Sequence, residues 1–138
     1  MPKIPYYKKA LSTLENAAEL ISSSSIEDNY YSDIKKVKAG GKKIYKCIDK
    51  SARLYIELTG AEISKRADNR EITSHLGKID MHTYYVYDDL HTFFYVLVYS
   101  RGYNNSKRIK ESIKIAKKFI KLLKPLEKSY KQHKSDAI

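Results

Sequence analysis

The 138-residue chain is poor in residues that form turns or cross-links. It contains 5 Gly, 3 Pro, 1 Cys and no Trp. So few turn-forming residues argue against a sandwich or barrel with many hairpins and favour a few long helices. The single cysteine, Cys47, excludes a disulfide framework and a cysteine-based zinc site. We expect it to be a reduced, buried thiol.

Long apolar runs are also absent. No stretch approaches the roughly 18 residues needed to span a bilayer, and residues 1–9 lack the apolar core of a signal peptide. We therefore expect a protein of the bacterial cytoplasm that has no membrane partner. Because 42% of the residues are apolar and 31% are charged, the chain can fold, and its length predicts a single domain over residues 1–138.

Acidic residues are outnumbered by basic ones. The chain has 27 Lys and Arg against 16 Asp and Glu, a net charge of +11. Most of the basic residues are Lys, which attracts anions as a point charge, whereas Arg would provide bidentate recognition. The Lys excess has two interpretations, selection for a basic surface and the codon bias of an A·T-rich genome.

Apolar residues recur at helical spacing in four segments. The first follows Pro5 and ends at the serine run 22–25. The second is predicted from about Glu27, because residues 25–28 have the form of a capping box, to Leu58, with Gly60 placed to end it. Gly41 lies on the apolar stripe of this helix, so we expect a neighbouring helix to approach closely there. A break into two helices is the alternative.

The second half of the chain gives two further helical segments. The third begins near Asn69 after the cap-like pair Asp68 and Glu71, and a break at 80–83 separates a short first part from a main part, 84–101. The fourth begins near Ser106, is kinked or ended by Pro125, and frays over 132–138. Short connections predict an all-α, up-and-down four-helix bundle with a short extra helix before the third long helix.

Basic residues are concentrated on the fourth helix, where few acidic residues offset them. Such a surface attracts polyanions through counterion release, without reading their sequence. The alternative is an ordinary solvated helix face. The candidate nucleic-acid-binding residues are Lys107, Arg108, Lys110, Lys114, Lys117, Lys118, Lys121 and Lys128.

Tyrosine is abundant, with 13 residues. Tyr95, Tyr99 and Tyr103 are four residues apart, which aligns them along one helix edge, and His91 lies four residues earlier. Three roles are open: packing at the core boundary, an interface between two copies of the chain, and base stacking. We predict a homodimer that uses the edge with Tyr95 and Tyr99.

Arg70 and His75 form an Arg-x4-His string. In HEPN (higher eukaryotes and prokaryotes nucleotide-binding) nucleases, an Arg-x4-6-His motif supplies a phosphate-binding Arg and a His for proton transfer. The spelling is permissive, and Glu71 stands where that motif favours Asn, Asp or His. These two residues are therefore weak catalytic candidates. No metal site is predicted, since His82 and His91 are far apart, and no cofactor is predicted.

Several short motifs resemble a small family of uncharacterised bacterial HEPN-like proteins, known as a domain of unknown function. The resemblance lies in the second helix, in the third helix and in the turn after it. The matching residues are Asn29, Tyr30, Tyr31, Asp33, Val37, Lys38, Gly41, Ile44, Tyr45, Leu76, Lys78, Ile79, Asp80, Tyr95, Leu97, Ser100, Gly102 and Tyr103. The resemblance implies a helical bundle, often dimeric, with no assigned activity and no catalytic residues to transfer.

These observations predict a non-catalytic HEPN-like bundle that acts by binding. Its partner is a second copy of itself, RNA or a nucleotide. One alternative is a HEPN-type ribonuclease, such as the toxin of a toxin–antitoxin pair. Another is a structural accessory protein.

Overall fold

The computed structural model describes residues 5–136, with side chains described as far as residue 132. The fold is all-α except for one short hairpin, which confirms the predicted class. None of the helices within residues 5–136 is long and apolar enough to cross a membrane. The elements are α1 (Tyr7–Ser22), β1 (Ile26–Glu27), β2 (Tyr30–Tyr31), α2 (Ile34–Leu58), α3 (Asn69–Ile79), α4 (Met81–His91), a π-helix (Thr92–Ser100), α5 (Ser106–Lys121) and α6 (Leu123–Asp136).

The long helices form a bundle in which neighbours along the chain are neighbours in space. α2 packs against α1 and also against the π-helix, which continues α4. α5 packs against α1 and α4. This closed order is that of the predicted four-helix bundle. The largest fully buried side chains fill its centre, and they include Leu14, Ile44, Ile48, Tyr87, Phe94, Ile109 and Ile120.

The predicted start of the second helix was wrong. β1 and β2 pair in antiparallel fashion there, and they are joined by Asp28 (φ 50°) and Asn29 (φ 71°). Two successive left-handed residues form the type I′ turn that suits the twist of a hairpin. α2 begins later, at Ile34, and Asp33 caps it by accepting a hydrogen bond from the backbone N–H of Lys36 at 3.2 Å.

Contacts with the start of α5 hold this hairpin in place. The backbone N–H of Tyr31 donates to the Asn104 carbonyl at 2.9 Å, and the Asn104 side-chain amide donates to the Tyr31 carbonyl at 2.8 Å. The backbone N–H and hydroxyl of Ser106 donate to the Asn29 carbonyl at 2.9 and 3.0 Å. A two-stranded hairpin is marginal alone, so these contacts explain why it forms here.

The predicted extra helix is confirmed as α3. The Asp68 side chain caps it, accepting a hydrogen bond from the Glu71 N–H at 3.0 Å. Asp80 then takes an extended backbone and caps α4, accepting from the His82 N–H at 3.1 Å and from the Thr83 hydroxyl at 2.7 Å. Local capping therefore produces the break between α3 and α4.

The predicted start of the fourth helix is confirmed, but this helix is divided into α5 and α6 just before Pro125. α5 begins at Ser106, where the Asn105 side chain accepts from the Arg108 N–H at 3.0 Å. It ends at Lys121, and Pro125 lies in the first turn of α6, a position that proline tolerates. α6 reaches Asp136, inside the stretch predicted to fray, and residues 137–138 lie outside the described residues.

The N-terminus of α1 is capped by a residue from the other end of the chain. Its N-cap residue, Tyr6, makes no side-chain cap. Instead Glu127 Oε1 accepts hydrogen bonds from the backbone N–H groups of Tyr6 at 2.9 Å and Tyr7 at 3.1 Å. Only 2% of Glu127 is exposed. A carboxylate at this place also complements the helix dipole, so this contact ties α6 to α1.

Candidate functional site

The glycine pair in α2 brings two helices close to its backbone. A Cβ atom on Gly41 would lie 2.6 Å from Val98 Cγ1 and 3.2 Å from the backbone nitrogen of Tyr99. A Cβ on Gly40 would overlap Ile21 Cγ1 of α1. α2 runs unbroken through both positions. The predicted close approach at Gly41 is therefore confirmed, and Gly40 serves α1 in the same way.

The helix that approaches Gly41 is a nine-residue π-helix. The Arg101 N–H donates to the carbonyl of Val96, five residues back, at 3.1 Å, and the Ser100 hydroxyl donates to the Tyr95 carbonyl at 2.8 Å. π-Helical segments are rare, mostly a single turn long, and frequent at functional sites. The sequence predicted an ordinary α-helix here, because its apolar spacing does not distinguish the two forms.

An aromatic cluster, defined as Tyr45, His91, Tyr95 and Tyr99, lies where α2 meets the π-helix. The Tyr45 and Tyr99 rings stack with centroids 5.5 Å apart and an interplanar angle of 19°. The His91 and Tyr95 rings stack at 5.3 Å and 17°. The two stacks meet at Tyr45 and Tyr95, whose centroids are 4.9 Å apart. Tyr95 is nevertheless 40% exposed, so the cluster reaches the surface.

The predicted edge of three tyrosines is only partly correct. Tyr95 and Tyr99 share it, but Tyr103 does not. Gly102 has a φ of +69° and turns the chain after the helix ends, so the Tyr103 ring contacts Phe93, with centroids 5.7 Å apart. The Arg108 guanidinium lies 5.9 Å from the centroid of the Tyr103 ring.

Asp49 of α2 fixes the inner side of the cluster. Its Oδ1 accepts a hydrogen bond from the Tyr87 hydroxyl at 2.8 Å and lies 2.8 Å from His91 Nδ1. A carboxylate only accepts, so His91 carries a proton on Nδ1. The Asn69 side-chain amide donates to the Tyr87 hydroxyl at 3.2 Å. Burial, followed by the Asp49 charge, raises the pKa of Tyr87 far above its usual value, so Tyr87 stays a donor.

The sequence did not reveal Asp49. Its one local signal is an acidic residue in a strongly basic helix, four positions after Tyr45. Lys42 of that helix borders the cluster, with its Nζ 5.9 Å from the centroid of the Tyr99 ring.

The candidate nucleic-acid-binding residues lie on α5 and α6. α5 carries seven basic residues and one acidic residue, Glu111. At 3.6 residues per turn, its six lysines fall within an arc of about 100°, beside the buried stripe that includes Ile109 and Ile113. All six are exposed except Lys117, which is half-buried, and Lys128 on α6 is exposed. We call this surface the lysine face.

The lysine face has no ion-paired acidic partner among the residues whose side chains are described. Within residues 5–132, no Lys or Arg side chain forms an ion pair with a carboxylate. Arg108 lies to one side, with its guanidinium 5.7 Å from the centroid of the Phe93 ring. The structure thus gathers the six α5 lysines on one face and places Arg108 beside it.

The weak catalytic candidates both lie on α3. Arg70 is exposed and His75 is half-buried. Five positions along an α-helix correspond to a rotation of about 140°, and among the described residues no hydrogen bond joins the two side chains. Their nuclease role stays a prediction. Neither residue contacts the aromatic cluster through a hydrogen bond or ring contact within residues 5–132.

Two candidate chemistries remain, the reactivity of the Cys47 thiol and the binding of a metal ion. Cys47 is a buried free thiol that donates to the Ala10 carbonyl at 3.4 Å, as expected. Burial raises its pKa to about 11, which makes it a poor nucleophile. The described residues contain no group of three or more His, Cys, Asp or Glu side chains placed to hold a metal ion.

Comparison with known proteins gives the fold a precedent. No protein-family model matches the chain, and no curated protein is significantly similar to it. A solved structure, that of a protein of unknown function from Dyadobacter fermentans, is similar with a TM-score of 0.71 at 18% sequence identity. The match covers 90% of this chain and 98% of that one. At this identity the likeness shows the fold alone.

Proposed function

We propose that this protein is a non-catalytic, HEPN-like helical bundle of the bacterial cytoplasm that binds RNA weakly and without sequence preference. The observation that supports the proposal best is the lysine face, because its charges are clustered, exposed and without ion pairs in the described part of the chain. A polyanion that covers this face releases its counterions, which supplies the binding energy. Lysine does not read base edges bidentately, so no sequence preference is expected.

The placement of charge along α5 also supports a binding role. Cations stabilise a helix at its C-terminal end and destabilise it at its N-terminal end. Lys118 and Lys121 lie in the last turn and are favourable there, but Lys107 and Arg108 lie in the first turn, which holds no acidic residue. Helix stability alone therefore does not account for the two cations at the start of α5.

Charge-matched variants test the proposal. Replacing Lys114, Lys117, Lys121 and Lys128 by Gln removes four charges from α5 and α6. Replacing exposed Lys8, Lys9, Lys65 and Lys78 by Gln removes four charges elsewhere. Fluorescence anisotropy with a single-stranded RNA oligonucleotide gives the affinity at several salt concentrations. We expect the first variant to lower the log–log salt slope by up to about 3, since each single-strand phosphate contact contributes ~0.7.

The control variant should keep most of the salt slope. The free energy of unfolding of both variants should lie within about 0.5 kcal/mol of that of the parent protein. Equal losses in the two variants would indicate a general charge effect and contradict a binding face. Absence of binding even at low salt would leave the structural accessory role.

The same RNA, analysed on a denaturing gel, separates binding from cleavage. We expect no cleavage, and we expect Arg70→Ala and His75→Ala to bind like the parent protein. Cleavage that disappears in His75→Ala would replace this proposal with the HEPN-type ribonuclease.

A further inference from the structure

We infer that the aromatic cluster is a stacking platform for an unpaired nucleobase, with Tyr95 as the ring that receives it. The ligand class is a nucleotide, either free or within a single strand. This inference deepens the proposed function and rests on it, since the lysine face attracts the phosphates while the aromatic cluster would bind a base.

Tyr95 is the exposed aromatic residue of the π-helix. Its neighbours Phe93 and Phe94 are both buried. Tyr95 keeps 40% of its surface exposed although three rings surround it. His91 stacks on one face of the Tyr95 ring, and the 40% of the residue that stays exposed is the surface that we assign to a base.

Hydrogen bonds hold the platform in place without any ligand. The Asn69 amide donates a hydrogen bond to the Tyr87 hydroxyl, and the Tyr87 hydroxyl donates to Asp49. Asp49 in turn accepts from His91, and each of these distances is at most 3.2 Å. His91 then stacks under Tyr95 with an interplanar angle of 17°. Because the supporting ring is fixed by a hydrogen bond, little side-chain entropy remains to be lost when a base stacks.

The charge near the platform suits a nucleotide. Lys42 Nζ lies 5.9 Å from the Tyr99 ring centroid, and the Tyr99 ring is 6.2 Å from that of Tyr95. A cation this close to a stacking surface would pair with the phosphate of a nucleotide whose base occupies that surface. Stacking is sequence-tolerant, since every base has a π-face, which agrees with binding that ignores sequence.

A fluorescent base tests the inference directly. The probe is a single-stranded RNA oligonucleotide with one 2-aminopurine, whose emission is quenched when it stacks on an aromatic ring. The chain has no Trp, so no indole emission overlaps the signal. We expect the parent protein to quench the probe, and we expect Tyr95→Ala to bind about 5- to 150-fold more weakly without quenching it, the range of one lost base stack.

Two matched variants make the result specific. Tyr85→Ala removes an even more exposed tyrosine, 59% exposed and outside the aromatic cluster, and it should bind and quench like the parent. Tyr95→Phe keeps the ring and should do the same. A duplex of the same sequence, whose bases are not free, should bind the parent and Tyr95→Ala equally.

Two further measurements are needed. One distinguishes a free nucleotide from a strand as the ligand, and the other distinguishes failure of the stacking platform from failure of the lysine face. Quenching of free 2-aminopurine riboside monophosphate would identify a free nucleotide, and quenching only within the oligonucleotide would identify a strand. The four-lysine variant of α5 and α6 should weaken binding but still quench at saturation, so failure of the lysine face leaves the stacking result readable.

Two results would overturn the inference. The first is that the Tyr95→Ala variant binds the single strand as tightly as the parent protein and quenches the 2-aminopurine emission to the same extent. The other is a change in mass by light scattering in Tyr95→Ala with unchanged RNA binding, which would assign this edge to the predicted homodimer.

Discussion

Two regions of the molecule depend on opposite properties of their side chains. One is the seam, where α2 packs against the π-helix, and the other is the lysine face of α5. At the seam, Gly41 has no room for a Cβ atom, and Asp49 fixes His91 at 2.8 Å. On the lysine face the side chains project into solvent without ion pairs in the described residues. The seam depends on shape, so single atoms matter there, while the face depends on summed charge. Substitutions should therefore change stability at the seam and affinity on the face.

Gly41→Ala is the strongest test of this difference. The new methyl group would overlap Val98, which is fully buried and, as a β-branched residue, has few rotamers in which to yield. We expect a loss of about 1–3 kcal/mol in the free energy of unfolding, measured by urea denaturation.

A matched glycine serves as the control for that variant. A Cβ on Gly77 of α3 would meet only Tyr84 Cδ2, at an ordinary 3.8 Å. Gly77→Ala should therefore gain about 0.5–1 kcal/mol from helix propensity. If Val98→Ala costs less in the Gly41→Ala background than alone, the overlap is the cause. A Gly41→Ala protein as stable as the parent would mean that the seam is not tight.

Glu127 lies in the charged C-terminal part of the bundle. Its substitution tests whether this part, like the seam, contains a contact that depends on the position of one side chain. Glu127→Gln keeps an acceptor for the Tyr6 and Tyr7 N–H groups but removes the negative charge at the start of α1. We expect a loss of about 1–2 kcal/mol by thermal or urea unfolding, as for a buried charge on a helix dipole. The exposed carboxylate of Glu111 is the control, and Glu111→Gln should scarcely change stability. Equal effects in the two variants would contradict the capping role.

Asp80 combines features of both regions, since it is exposed like the lysine face but hydrogen-bonded like the seam. The Thr83 hydroxyl, with the His82 backbone N–H, lowers the pKa of Asp80 below its usual value. Its stabilising contribution is therefore present above the pKa of the unfolded chain, and it disappears as the pH falls through the lower pKa of the folded state. Unfolding followed between pH 2 and 6 should show a smaller acid dependence in Asp80→Asn. An unchanged profile would mean that this cap contributes nothing to acid sensitivity.

Local patterns predicted correctly wherever a short stretch of sequence fixes the structure. Asp68 marks a helix start because a side-chain acceptor can satisfy the free N–H groups of the first turn. The break at 80–83 was also predicted, although α4 starts at Met81 and not at residue 84. Gly41 indicated close packing since it lies on an apolar stripe. The residues at 25–28 were misread, because a hydroxyl followed by acidic residues suits a cap and a tight turn equally. The contacts of Asn104 and Ser106 selected the turn.

The sequence by itself determined the all-α class, most helix ends and the lysine face, because helical periodicity and capping act over a few residues. Only the tertiary structure decided the aromatic cluster. Asp49 and His91 are 42 positions apart, and the π-helix packs against the backbone of α2 at Gly41. Apolar spacing cannot distinguish α from π hydrogen bonding or pair two distant side chains, since both depend on which helices pack together.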